Sequence, residues 1–338
     1  MKTKTIPHTL IEAVRNDDPS ALHSTDFDHR DSKNQSLLFY IVRQNALSVL
    51  NAFADLIFLN ALNSHGDTAL HVAASIGNHE VLKRLLEAGA DPSLENKKGM
   101  TPIMAAARKG SHPAIRTLLK KDVLLGKTDK FGNSVLFYAV ESDSPLVFET
   151  LVDSGANPHH VNNQGETLHH IAAKHASLKM VETLEAYKIP LHVFSDYKQT
   201  PLHHASRKGK ADLVEFYLER GLSPELEDGF SMSARAYGND YGDIEMKFTR
   251  FENSNAMQAY PLSNALRKED FEKAFVLIRE GKNLDQKDAY KNRPVYYALM
   301  HRQYEIYQAL MERGIQKEDI DRYHHDISYY MNFLNLNW

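Results

Sequence analysis

Short apolar runs recur along this chain at a constant interval, each interrupted by glycine and polar residues. "HGDTALHVAASIG" occupies 65–77, and "KGMTPIMAAARKG" repeats its pattern at 98–110. In each unit a small-sided run ("HVAAS", "MAAAR") is followed by a glycine and then by a second run with helical spacing. The second runs are Val81, Leu82, Leu85 and Leu86, then Ile115, Leu118 and Leu119, then Val147, Phe148, Leu151 and Val152, and later Val214, Phe216 and Leu218. This pattern predicts two short helices per unit, reversed at a glycine turn.

The register is strict. Ser36, Thr68, Thr101, Ser134, Thr167, Thr200 and Ser233 each precede a first helix, one step of 32 residues and then five of 33. Gly66, Gly99, Gly132 and Gly165 lie two places earlier, and Gly77, Gly110, Gly209 and Gly242 nine places later. The hydroxyl residues are expected to cap the first helices, with Pro102 and Pro201 at the first helical position, where no N–H is needed. Gly89 and Gly155 are expected to end second helices in a left-handed conformation. One helix pair cannot bury both its faces, so the units must stack.

"GDTALHVAASIGNHEVLKRLLEAGADPSLEN" (66–96) and "QTPLHHASRKGKADLVEFYLERGLSPELED" (199–228) resemble ankyrin repeats, whose hallmark is T-P-L-H-x-A in a 33-residue period. The resemblance is specific over 63–228, five units. It implies an all-α ankyrin-repeat solenoid of about nine to ten helix-pair units with β-hairpin-like tips. On this reading 1–62 are divergent N-terminal units and cap, and 229–317 are degenerate units that keep Gly242 and restart near Tyr260 and Arg293. Residues 318–338 form a C-terminal capping helix with Tyr330, Phe333, Leu334 and Trp338 on its apolar side. The resemblance also implies that His71, His170 and His203 tie hairpin to helix by hydrogen bonds. His169 stands where leucine is usual.

Composition narrows the function classes. The chain has 338 residues, 42% hydrophobic and 25% charged, which suits a folded protein. A net charge of −4 disfavours broad phosphate contacts, so nucleic acid is not an expected partner. With no cysteine, disulfides and thiolate chemistry are excluded and a reducing compartment is expected. "MKTKTIPHTLIEAVRNDDPS" lacks a signal-type apolar core, and no stretch approaches the roughly 18 apolar residues of a membrane span, so a soluble protein without membrane insertion is expected.

Eighteen histidines raise the question of a metal. There is no H-E-x-x-H and no carboxylate at a repeating ligand spacing, so structural histidines are expected, with no metal and no cofactor. Nucleophile and phosphate-loop motifs are missing too, and no catalytic residue or small-molecule substrate is indicated. Eleven of the sixteen tyrosines follow residue 230. They read either as an aromatic core and cap or as a tyrosine-rich binding face.

In ankyrin proteins the hairpin tips and the ends of the first helices line a concave surface. Carried over by register, the partner-binding candidates here are Lys97, Lys98, Arg108, Lys109, Phe131, Lys174, Tyr197, Arg207 and Lys208. Phe131 and Tyr197 share one tip position, as anchors for a partner or packed on a neighbouring hairpin. The cations point to an acidic or mixed acidic-apolar partner segment. The expected function is protein–protein interaction rather than catalysis. The alternative is an enzyme or protein-modifying segment at 230–338 served by the repeats. Divergent outer units and the lack of cysteine look like the secreted virulence effectors that intracellular bacteria inject into host cytosol or nucleus; an ordinary cytosolic adaptor is the competing reading.

Overall fold

The computed structural model describes residues 5–252, 260–281, 283–288, 290–323 and 325–338. The irregular join expected before Tyr260 falls at 253–259, outside the described residues. The fold is all-α and forms two compact units, 1–158 and 159–338.

The first unit begins with α1 (His8–Arg15) and continues in pairs: α2 (Leu37–Gln44) with α3 (Leu47–Phe53), and α4 (Ala69–Ile76) with α5 (His79–Glu87). The pairs α6 (Pro102–Lys109) with α7 (His112–Leu118) and α8 (Val135–Glu141) with α9 (Pro145–Asp153) complete it. The second unit holds α10 (Leu168–His175) with α11 (Leu178–Ala186), α12 (Pro201–Arg207) with α13 (Ala211–Glu219), and α14 (Ala234–Gly238) with α15 (Gly242–Glu252). It ends with α16 (Pro261–Arg267) and α17 (Phe271–Glu280), α18 (Pro294–Met300) and α19 (Tyr304–Glu312), and a lone α20 (Ile327–Phe333).

Within each unit, first helices stack on first helices and second on second: α4 on α6 and α6 on α8, with α5 on α7; α10 on α12 and α12 on α14, with α11 on α13. Small side chains permit the close approach of the inner row, where Ala73, Ala74, Ala106, Ala107, Ala172, Ala173 and Ala205 are fully buried. Gly77 and Gly110 end α4 and α6 in left-handed conformation, and Gly89 and Gly155 follow the second helices with φ of 92° and 98°.

A hairpin-like tip joins consecutive pairs, closed in two cases by a single antiparallel bridge (Thr128 with Ser134, Glu227 with Ser233). One side-chain oxygen at the base holds each tip. Asn63 Oδ1 accepts the amides of His65 and Asp67, at 2.8 and 2.9 Å, and Asn96, Asp129, Asn162, Asp228, Asp288 and Asp321 do the same two and four residues on. Gly66 at φ 78° is required here: a Cβ would fall 2.7 Å from the Lys97 amide of the next tip. Tips also bond along the row, Lys97 N–H donating to His65 O and Lys130 N–H to Lys98 O.

Two devices tie tip to helix. Where the unit has histidine at the third helical position, its Nδ1 meets the capping threonine and its Nε2 reaches a carbonyl of the next tip. His71 Nε2 lies 2.8 Å from Met100 O, His170 Nε2 2.9 Å from Gln199 O, and His203 Nε2 2.9 Å from Leu226 O. Where that position is Met104 or Phe137, the expected cap is not made, and Thr101 and Ser134 hydroxyls are buried without a partner. The second device was not anticipated. Where the tip residue is aspartate, a tyrosine nine places on donates to its second oxygen. Tyr40 bonds Asp31, Tyr138 bonds Asp129, Tyr237 bonds Asp228, Tyr297 bonds Asp288 and Tyr330 bonds Asp321. Where the tip residue is asparagine, the ninth place is apolar (Val72, Ala105, Ile171). An amide has no second anionic oxygen to satisfy.

Much of the C-terminal tyrosine is thereby core. Tyr296, Tyr297 and Tyr330 are buried in one cluster with Leu262, Leu266, Val295 and Leu299. Trp338 packs against Tyr304 and Tyr307, ring centroids 5.5 Å apart in both pairs. Among the described residues α16 and α17 do not stack on α14 and α15 as their predecessors stack. They form a second stack with α18–α20 that rests on His159 and on the loops following α11 and α13. His192 Nδ1 meets Tyr296 Oη at 2.8 Å, Arg322 pairs with Glu185 at 3.2 Å, Tyr329 Oη meets His159 Nδ1 at 2.9 Å, and Arg267 donates to Gly221 O. Val193 completes the cluster.

The aspartate–tyrosine tie yields a double-mutant prediction. Tyr297→Phe leaves Asp288 buried with an oxygen short of its donor and should cost about 2 kcal/mol. Asp288→Asn combined with Tyr297→Phe should cost less than the two single changes summed, as read by denaturant melts. Simple additivity would show that the pair is not coupled.

Candidate functional site

The second unit contains a cavity of about 420 Å³ between the tips preceding α10, α12 and α14 and the ends of α10 and α12. Four sequence candidates line it: Lys174, Tyr197, Arg207 and Lys208. Each is placed by the repeat. Tyr197 sits at the tip preceding Thr200; Lys174 lies in the last turn of α10, and Arg207 and Lys208 at the end and C-cap of α12. Tyr197 is half exposed and stacks on Phe230 of the next tip, with centroids 5.8 Å apart and planes 18° off parallel. Its packing on a neighbouring hairpin therefore coexists with a free outer face.

The floor is polar. Glu166, buried at the preceding tip, accepts from Lys174 Nζ and from Asn162 Nδ2, the latter at 3.1 Å. His204 is 5% exposed; its Nε2 makes no hydrogen bond and lies 3.6 Å from Glu166 Oε1. Burial, then the neighbouring His170 and Lys174, push the His204 imidazole down to about 2, so it stays neutral. Arg207 carries its guanidinium over the Tyr237 ring, 5.7 Å from the centroid. Three cations thus line a cavity that holds one carboxylate, itself engaged by Lys174.

The other candidates belong to the first unit. Lys97 and Lys98 are exposed at one tip, Arg108 and Lys109 at the end of α6, and Phe131 is 62% exposed on the tip bonded to that of Lys97 and Lys98. The Arg108 guanidinium lies 3.9 Å from Met100 Sδ, folded back along its own tip.

Two lining residues, Phe230 and His204, stand outside the partner-binding candidates, with His204 expected among the structural histidines. Phe230 lies 33 places after Tyr197, in a unit read as degenerate, so its tip register was available as a signal. His204 stands nine places after Ser195, where an Asp–Tyr or an Asn–apolar pair is found elsewhere. His169 has a physical explanation. It is fully buried, its ring nitrogens make no hydrogen bond of good geometry although the Ile189 backbone lies near, and it packs edge-on to Tyr217, whose hydroxyl donates to the His169 carbonyl at 3.2 Å. It serves as a buried ring. Among the described residues no group of three or more His, Asp or Glu side chains is placed to hold a metal ion, and no helix is long and apolar enough to cross a membrane.

A family model for ankyrin repeats in three copies matches residues 10–96, 72–162 and 144–228. The chain is 27% identical over 208 residues to the transient receptor potential cation channel subfamily A member 1 homolog of Caenorhabditis elegans, covering 61% of this chain and 17% of that protein. It is 20% identical over 311 residues to the putative ankyrin repeat protein L371 of Acanthamoeba polyphaga mimivirus, covering 88% of this chain and 37% of that one. The chain thus spans well under half the length of these relatives. The crystal structure of the human ASB11 ankyrin repeat domain shares the fold, with TM-score 0.59 and 21% identity over 65% of this chain and 99% of that domain.

The buried imidazoles make stability depend on pH. Burial, then the adjacent His170, lowers His169 to about 3, and burial, then Arg267, lowers His192 to about 3. A folded-state pKa below the unfolded value means that the stabilisation is complete above about pH 6.5 and is lost as pH falls, since the unfolded chain takes up the protons. Between pH 7 and 5 one such histidine costs about 2 kcal/mol. Thermal melts should show His169→Leu more stable at pH 7 by about 1–3 kcal/mol, through removal of unpaired polar atoms, and less sensitive to acid. Equal acid sensitivity in variant and wild type would mean that folded His169 takes the proton.

Proposed function

Because the chain belongs to the ankyrin-repeat family, we propose that it is a protein–protein interaction module that grips an acidic or mixed acidic-apolar partner segment. Ankyrin stacks are scaffolds, so the reading must rest on the face rather than the fold. The observation that carries it is the exposed Tyr197–Phe230 stack over a cavity walled by Lys174, Arg207 and Lys208. Paired aromatics that leave one face in water, flanked by cations, suit an anchor residue next to acidic groups. Lys97, Lys98, Arg108, Lys109 and Phe131 offer the same chemistry on the first unit taken by itself.

The competing enzymatic reading of 230–338 has to explain why that segment spends its acidic and phenolic groups on repeat ties, as in Asp288–Tyr297 and Asp321–Tyr330. We read the chain as a bacterial effector acting on a host protein in cytosol or nucleus. The support is its divergent outer units and cysteine-free composition.

A capture experiment from eukaryotic lysate tests the binding reading, comparing wild type with Phe131→Ala/Tyr197→Ala. Phe131 is 62% and Tyr197 50% exposed and neither sits in the helical core, so the variant should keep its helical circular dichroism. A partner held by the wild type should be depleted at least about tenfold on the variant, the loss expected of two anchors. Equal capture would remove the tip aromatics from the interface.

A further inference from the structure

We propose that the cavity over Glu166 and His204 receives a side-chain carboxylate of the partner, held by His204, Lys174 and Arg207, while an adjacent aromatic residue lies on the Tyr197–Phe230 stack. This rests on the protein-binding reading and adds the chemistry of the residue that enters.

Three observations converge. The first is a break in the rule that governs the other tips. Asp31, Asp129, Asp228, Asp288 and Asp321 pair with a tyrosine nine places on, and asparagine tips face an apolar residue there. Here the tip residue is Ser195, which accepts only the Gln199 amide at 3.2 Å, and the ninth residue is His204. The unit keeps its other tie, Thr200 to His203, and the His204 ring packs edge-on to His170 instead of bonding its own tip residue. Departures from an otherwise consistent local pattern concentrate where function overrides it.

The second observation is the His204 Nε2 itself. It belongs to a cavity-lining residue whose side chain is 6% exposed, is itself buried, makes no hydrogen bond, and lies 3.6 Å from Glu166 Oε1. A buried donor left unpaired costs free energy that a bound acceptor recovers. The third is charge. Lys174, Arg207 and Lys208 face the cavity, and Glu166 is already occupied by Lys174 and Asn162. That excess selects an anion. The nearness of Glu166 favours a monoanion over a phosphate dianion, which it would repel more strongly. A carboxylate can accept from the His204 imidazole in its Nε2–H tautomer and from the Arg207 guanidinium together. The two exposed rings continue the wall outside the cavity, so a peptide carrying the carboxylate has a place for its next side chain that a free small acid would leave bare.

Fluorescence anisotropy with two labelled peptides tests this, "GSEFEFSG" and its isostere "GSQFQFSG". Wild type should bind the glutamate peptide at least about tenfold more tightly than the glutamine peptide, the effect of a buried charge-assisted bond. His204→Leu and Arg207→Ala should each cut that ratio to about threefold or less, whereas Tyr197→Ala should weaken both peptides and leave the ratio unchanged. Arg207 is exposed, so the comparison stands even where His204→Leu fails to fold. Equal binding of the two peptides by wild type, or no binding of either at millimolar concentration, overturns the carboxylate inference. The lysate capture reports separately on whether the face binds protein at all.

Discussion

One acceptor atom at the base of each tip governs this structure. An Asn or Asp oxygen that takes two backbone amides, as Asn63 and Asp129 do, fixes the reversal of the chain without help from the outward residues. Those residues are then free to vary, from Lys97 and Lys98 to Phe131 and Tyr197. The inner helices approach on alanine, and the tips bond edge to edge through their backbones. A rigid frame carrying arbitrary side chains is what a binding surface needs.

The choice between Asn and Asp has consequences for the helix that follows. Aspartate brings a second anionic oxygen into a nearly dry position, and a tyrosine hydroxyl answers it; asparagine turns its amide group to a neighbouring carboxylate, as Asn162 does to Glu166. The histidine tie accompanies the asparagine tips at Asn63 and Asn162 but not at Asn96, and each aspartate tip has its tyrosine. Ser195 with His204 follows neither. His204 of that unit lies with Glu166 of the preceding one in the polar floor beside the Tyr197–Phe230 stack.

The 33-residue period made helix pairing, inner alanines and tip positions legible in the sequence, because each is a local consequence of spacing and capping. The threonine–histidine tie was legible through family resemblance. The aspartate–tyrosine tie is written in the sequence as a fixed separation of nine residues, which the number of tyrosines does not reveal and their distance from a carboxylate does. Phe230 was hidden by the degeneracy of its own unit. The packing of the C-terminal stack could not be read from any period, since His192 with Tyr296 and His159 with Tyr329 join residues from distant repeats.

That last arrangement changes how the second unit holds together. In an ordinary repeat array each element leans only on its chain neighbours, and stability behaves as a sum of adjacent contacts. Here residues 260–338 lean on the loops around His159, Glu185, His192 and Gly221. Loop closure over such separations must be completed before those contacts stabilise anything. The end of the chain therefore acts less as a lid on the last repeat than as a strut, and damage to it would be felt a hundred residues upstream, beside the tip that carries Tyr197.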